Sequence, residues 1–136
     1  MLNTHIEHPE DSILTGNLDF LHAVKSYGVA PHGHISVKID GSPAIVWGTH
    51  PVTRKFFVGT KSVFNKKLIK VNYTHNDIDR NHKGYVAIVL HACLSNLPKT
   101  QNIYQGDFLG FGGDSVFQPN TVTYVFPEII EHTIIV

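Results

Sequence analysis

The chain predicts an α+β fold, a twisted antiparallel sheet with two helices packed on it, and three observations lead there. Apolar and polar residues alternate from His34 to Trp47, the period of a half-buried strand. Apolar residues recur at helical spacing from Leu18 to Tyr27 and from Asn76 to Asn96. The remaining apolar runs are short and bounded by Gly, Pro and Asn, which reads as strands and turns. At 136 residues, with 42% hydrophobic and 16% charged residues, the chain suits one compact domain with one core. No internal repeat or low-complexity tract divides it.

Taken in order, the first element is a helix over about Leu18 to Tyr27, with Asn17 as N-cap, Leu18, Phe20, Leu21 and Val24 as its stripe, and Gly28 as its stop. Pro31 and Gly33 make a loop. His34 to Trp47 follows as two strands broken at Gly41 to Pro43, with Ile35, Val37 and Ile39 facing the core and Lys38 and Asp40 facing a cleft. Gly48 to Val52 is a turn, and Lys55 to Thr60 returns as a hairpin strand. After a lysine-rich loop, a single helix from about Asn76 to Asn96 buries Val86, Val89, Leu90, Cys93 and Leu97 and ends at Leu97-Pro98. Ile103 to Phe111 is a strand, Gly112 to Asn120 a loop, Thr121 to Phe126 a strand, and His132 to Val136 is strand-like.

Composition narrows the function classes. No apolar run approaches the roughly 20 residues of a membrane span, and the polar segment Met1 to Glu10 is neither a secretory signal nor a transit peptide, so a cytoplasmic monomer is expected. Cys93 is the only cysteine and lies in the apolar stretch Val86 to Leu94, which makes it a core hydrophobe rather than a nucleophile. Lys and Arg number 11 and balance Asp and Glu, so any contact with a polyanion must be local. Arg54, Lys55, Lys61, Lys66, Lys67 and Lys70, interleaved with Phe56, Phe57 and Phe64, are the local candidate for nucleic acid; an outward-facing solvated strand pair is the plainer account. Ten histidines raise a metal site, with His32 and His34 two apart and His5 and His8 three apart, against scattered surface histidines.

The segment richest in chemistry is Lys38-Ile39-Asp40-Gly41-Ser42-Pro43. An amine and a carboxylate two apart before a glycine turn suit covalent capture of a phosphoryl group. Asp-Gly is also an ordinary hairpin signal. The K-x-D-G pattern resembles the nucleophile motif of the covalent nucleotidyltransferases, the superfamily of DNA ligases, RNA ligases and mRNA capping enzymes. With Thr4 to Asp11 it is similar to ligase-like proteins of tailed bacteriophages. Gly59-Thr60-Lys61-Ser62 resembles the second motif, which binds the nucleotide sugar, and Gln105-Gly106-Asp107-Phe108-Leu109-Gly110 resembles the third.

The resemblance implies most of an ATP-grasp-like nucleotidyltransferase domain using ATP and Mg2+. Lys38 would attack the α-phosphorus, expel pyrophosphate and hold the nucleotide as a phosphoramidate. Asp40 and Gly41 would serve the sugar, the metal shell or the amine. Lys61 would bind nucleotide, and Asp107 would contact the ribose or hold metal through water, aspartate replacing the usual glutamate. Glu7 or His8 would cap the base pocket. Arg54, Lys55, Lys66 and Lys67 would meet DNA or RNA ends. Ser36 stands where many DNA ligases carry an acidic residue, so base choice is open.

The resemblance stops beyond Asp107: no Lys or Arg follows Lys99, so the closing cationic clamp on the α-phosphate is missing, and Glu128 and Glu131 read as turn and loop carboxylates. The expectation is therefore the N-terminal part of a longer enzyme, its apolar end Thr133 to Val136 a strand lacking its sheet neighbour. The alternative is a reduced relative that binds nucleotide or nucleic acid without catalysis.

Overall fold

In a computed structural model the described residues are Gly16, Leu18, His22, Lys25 and 38–136. The chain divides into two compact units, Met1–Ile39 and Asp40–Val136. In the first, the His22 amide donates to the Leu18 carbonyl at 3.0 Å, the i to i−4 bond of a helix. The rest of the helix expected to Tyr27, the loop at Pro31, the strand over His34 to Val37, and Glu7, His8 and Ser36 lie outside the described residues.

The second unit is built around β1 (Ala44–Thr49), whose β-branched and aromatic residues suit a central strand. β2 (Phe56–Gly59) and β3 (Ile103–Asp107) flank it, both antiparallel, in the order β2-β1-β3. The β1–β2 turn is tied by the His50 amide to the Lys55 carbonyl at 2.9 Å and by Arg54, at φ 58°, back to His50 at 2.9 Å. The register sets Trp47 opposite Val58 and Tyr104, and Ile45 opposite Gly106. Ile45, Trp47 and Val58 thereby share the face that packs on the helices.

Two helices follow. α1 (His75–Asn81) starts with a capping box: Thr74 Oγ1 accepts the Asp77 amide at 3.2 Å and Asp77 Oδ2 accepts the Thr74 amide at 3.0 Å. α2 (Gly84–Asn96) ends at Leu97, before Pro98, as expected. The single helix expected over Asn76 to Asn96 is thus corrected to two. His82 and Lys83 are extended, and Gly84 has φ 60°, a left-handed conformation that interrupts the helix. Ile78, Val89, Leu90 and Cys93 join Ile45, Val58 and Phe108 in the buried core, with Val86 and Leu97 partly buried against it.

The rest of the unit consists of two-stranded ribbons. The strand expected to Phe111 stops at Asp107; Phe108 and Leu109 are buried outside any strand, and β4 (Gly110–Phe111) pairs with β7 (Ile134–Ile135). The apolar end therefore has a sheet neighbour, contrary to expectation. Part of the expected loop 112–120 is β5 (Asp114–Phe117), which pairs with β6 (Tyr124–Ile130), so Glu128 is a strand residue. The α+β class holds, with small antiparallel sheets in place of one large one. Among the described residues no helix is long and apolar enough to cross a membrane.

Candidate functional site

The site is framed by one end of the three-stranded sheet. Because β1 runs antiparallel to both neighbours, its start lies beside the ends of β2 and β3. Ala44 pairs with Asp107, and Val46 pairs with Gly59. Three segments far apart in sequence are thereby collected at one edge: Asp40–Ser42 entering β1, Thr60–Ser62 leaving β2, and Asp107 closing β3.

The entering turn is held by bonds from distant residues. The Asp40 amide donates to the Tyr124 hydroxyl at 3.0 Å, and Asn120 Nδ2 donates to the Asp40 carbonyl at 3.4 Å. The Gly41 amide reaches Asp107 Oδ2 at 3.5 Å, a long contact at the limit of a hydrogen bond. Ser42 and Phe108 seal the turn through Ser42 N to Phe108 O at 2.8 Å and Phe108 N to Pro43 O at 3.0 Å. A Cβ on Gly41 would fall on the Phe108 carbonyl oxygen, so this position requires glycine.

These bonds correct one expectation. Lys38 to Gly41 form no strand, because the amides of Asp40 and Gly41 are taken by side chains rather than by a neighbouring strand. Ile39, expected in the core, is 45% exposed. Lys38 is exposed and belongs to the first unit, whereas Asp40, Gly41 and Asp107 belong to the second and are half-buried.

On the other flank, Thr60 caps the 3₁₀ helix Lys61–Phe64, accepting the Ser62 amide at 3.3 Å, with the two hydroxyls 2.8 Å apart. Lys61 is exposed in its first turn. The basic stretch is divided by the fold. Arg54 and Lys55 sit in the β1–β2 turn, at the opposite end of β2 from Lys61; Lys66 and Lys67 are exposed in the loop after the 3₁₀ helix.

Lys70 leaves the patch altogether. Its Nζ donates to the Asn81 carbonyl at 2.8 Å, beside fully buried Asn72. Asn72 Nδ2 donates to the Val58 carbonyl at 3.0 Å and lies 3.3 Å from His82 Nε2, while Asn81 Nδ2 donates to Asn72 Oδ1 at 2.9 Å. Burial, and then the Lys70 charge, hold the His82 pKa below its ordinary value. The Thr74 hydroxyl, with the amides of Tyr73 and Thr74, holds Asp77 below the carboxylate range. Burial pushes the Cys93 thiol up to about 12, which fits a core residue and no nucleophile.

Sequence reasoning missed Tyr124 and Asn120, whose positions eighty or more residues from Asp40 left no local signal. Asp107 was the one distant partner that a motif made visible. Among the described residues no group of three or more His, Cys, Asp or Glu side chains is arranged to hold a metal ion.

No curated protein and no solved structure matches the sequence. One family model does, over residues 3–136, nearly the whole chain. The chain therefore belongs to a family of unknown function, DUF6267.

Proposed function

We propose that this protein forms a covalent lysyl-nucleotide at Lys38, the opening step of ATP-dependent polynucleotide ligation in the cytoplasm. The observation that carries the reading is the meeting of two motifs sixty-six residues apart, Asp107 Oδ2 standing 3.5 Å from the Gly41 amide while Asp107 pairs with Ala44. The third motif is thereby set against the turn that follows the lysine. The Thr60–Ser62 segment leaves the neighbouring strand at the same sheet end, in support of a nucleotide sugar bound there.

In this reading the Nζ lone pair of the neutral Lys38 amine makes the P–N bond to the α-phosphorus, the bond to the bridging oxygen breaks to release pyrophosphate, and the nitrogen gives up one proton to water. Asp107 would hold a magnesium ion through water, and a bound ion would supply positive charge to offset what develops on the phosphates. Lys61 binds the nucleotide, and Arg54, Lys55, Lys66 and Lys67 are the phosphate contacts for DNA or RNA ends. The proposal covers the first step of ligation.

Incubation with magnesium and ATP labelled at the α-phosphate, followed by denaturing electrophoresis, tests it. Label should stay on the protein through alkali, leave in acid as a phosphoramidate does, and vanish in Lys38→Ala. Asp107→Asn should slow labelling by roughly 10- to 100-fold, the scale of a lost charge contact. Calorimetric binding of nucleotide with no retained label would replace catalysis by a non-catalytic nucleotide-binding module.

A further inference from the structure

Among the described residues the fold brings together His75 and His91, sixteen residues apart and on different helices. Their Nδ1 atoms are 2.7 Å apart, with ring centroids 5.0 Å apart and planes 18° apart, so the two rings meet edge to edge. The other nitrogen of His91, Nε2, lies 2.9 Å from Asp79 Oδ1. An ionised carboxylate only accepts, so His91 Nε2 carries its proton and donates to Asp79. In the neutral imidazole its Nδ1 is then a lone pair that accepts the Nδ1 proton of His75, and a bound metal would take the place of that proton. A carboxylate that fixes the tautomer and frees the far nitrogen is how proteins orient a metal-binding imidazole.

The pair is also reachable. The His91 and Asp79 side chains are 31% and 64% exposed. Asp79 follows His75 by four residues, which puts both on one face of α1, turned towards His91 on α2.

We propose that His75 and His91 bind a divalent first-row cation of borderline softness, zinc being the reference, through their two Nδ1 atoms. Asp79 is the outer partner of His91, and water completes the shell. Tetrahedral zinc with Zn–N bonds of about 2.0–2.1 Å sets its two nitrogens about 3.3 Å apart, so the pair, now at 2.7 Å, opens by roughly 0.6 Å. Small rotations of two side chains on separate helices supply that. His75 carries its proton on Nε2 when its Nδ1 is ligated. Imidazoles favour zinc, nickel or copper over magnesium, so the site is independent of the proposed nucleotide chemistry. Bound metal would link α1 to α2 across the break at His82 and Lys83.

The test is calorimetric titration of the full chain with zinc chloride, with the imidazole nitrogens of His75 and His91 followed by NMR. A saturable site should shift both Nδ1 signals. It should lose at least about tenfold in affinity in His75→Ala and in His91→Gln, and about tenfold in Asp79→Asn. It should persist when His5, His8, His32 and His34 are all replaced by alanine. Absence of saturable zinc binding by the wild type overturns the proposal, as does unchanged affinity in both histidine variants with circular dichroism showing them folded. Loss of binding in the quadruple variant alone would overturn it too.

Discussion

Gly41 shows how a motif position acquires its reason. The sequence offers it as part of K-x-D-G, whereas the fold requires it because the Phe108 carbonyl occupies the space of a Cβ. Gly41→Ala should therefore destabilise the protein by about 1–3 kcal/mol, the usual cost of overpacking, read as a lower urea midpoint. Cys93 gives a second expectation at this scale. With its thiol pushed up to about 12, it is neutral at pH 8, so alkylation should occur only as fast as the chain unfolds. The burial of Cys93 was legible from its apolar neighbours, and so was the Asp107 motif. Tyr124 was not, because a hydroxyl that accepts one distant amide is indistinguishable in sequence from a strand tyrosine.

At the scale of elements, period and punctuation gave the β1–β2 hairpin to within a residue or two and the end of α2 at Pro98. They did not show the break before α2. A glycine within a helical pattern costs only about 1 kcal/mol, so Gly84 alone does not announce a stop; the left-handed backbone there does. The start of α1 rests on its capping box, and Thr74→Ala should cost about 1 kcal/mol of stability, measurable by denaturant titration. At the other end of α1, His82 Nε2 accepts from the buried Asn72 amide, a role open only to neutral imidazole. The folded pKa of His82 lies below the unfolded value of 6.5, so between the two the unfolded chain holds more protons. This contribution is fully present above about pH 6.5 and is lost as pH falls towards the folded value. The urea midpoint of wild type should therefore drop between pH 7.5 and 5.5 more than that of His82→Gln.

For the molecule as a whole, the sequence carried the class but not which segments meet. The pairing of β4 with β7 joins residues more than twenty apart, and the Asp40 turn is fixed from β6; neither is written in any local period. One such closure has a practical reach. Val58 and Asn72 exchange backbone bonds in both directions, at 3.0 and 3.2 Å, and close the intervening stretch upon itself. Leu68 and Ile69, within it, are 73% and 61% exposed. Neutralising Lys66 and Lys67 to glutamine should leave the melting temperature unchanged while weakening any salt-sensitive binding of single-stranded oligonucleotides, as filter binding would show. With its two feet pinned together, the tip is free to be rewritten by mutation or lengthened by insertion without cost to the sheet below.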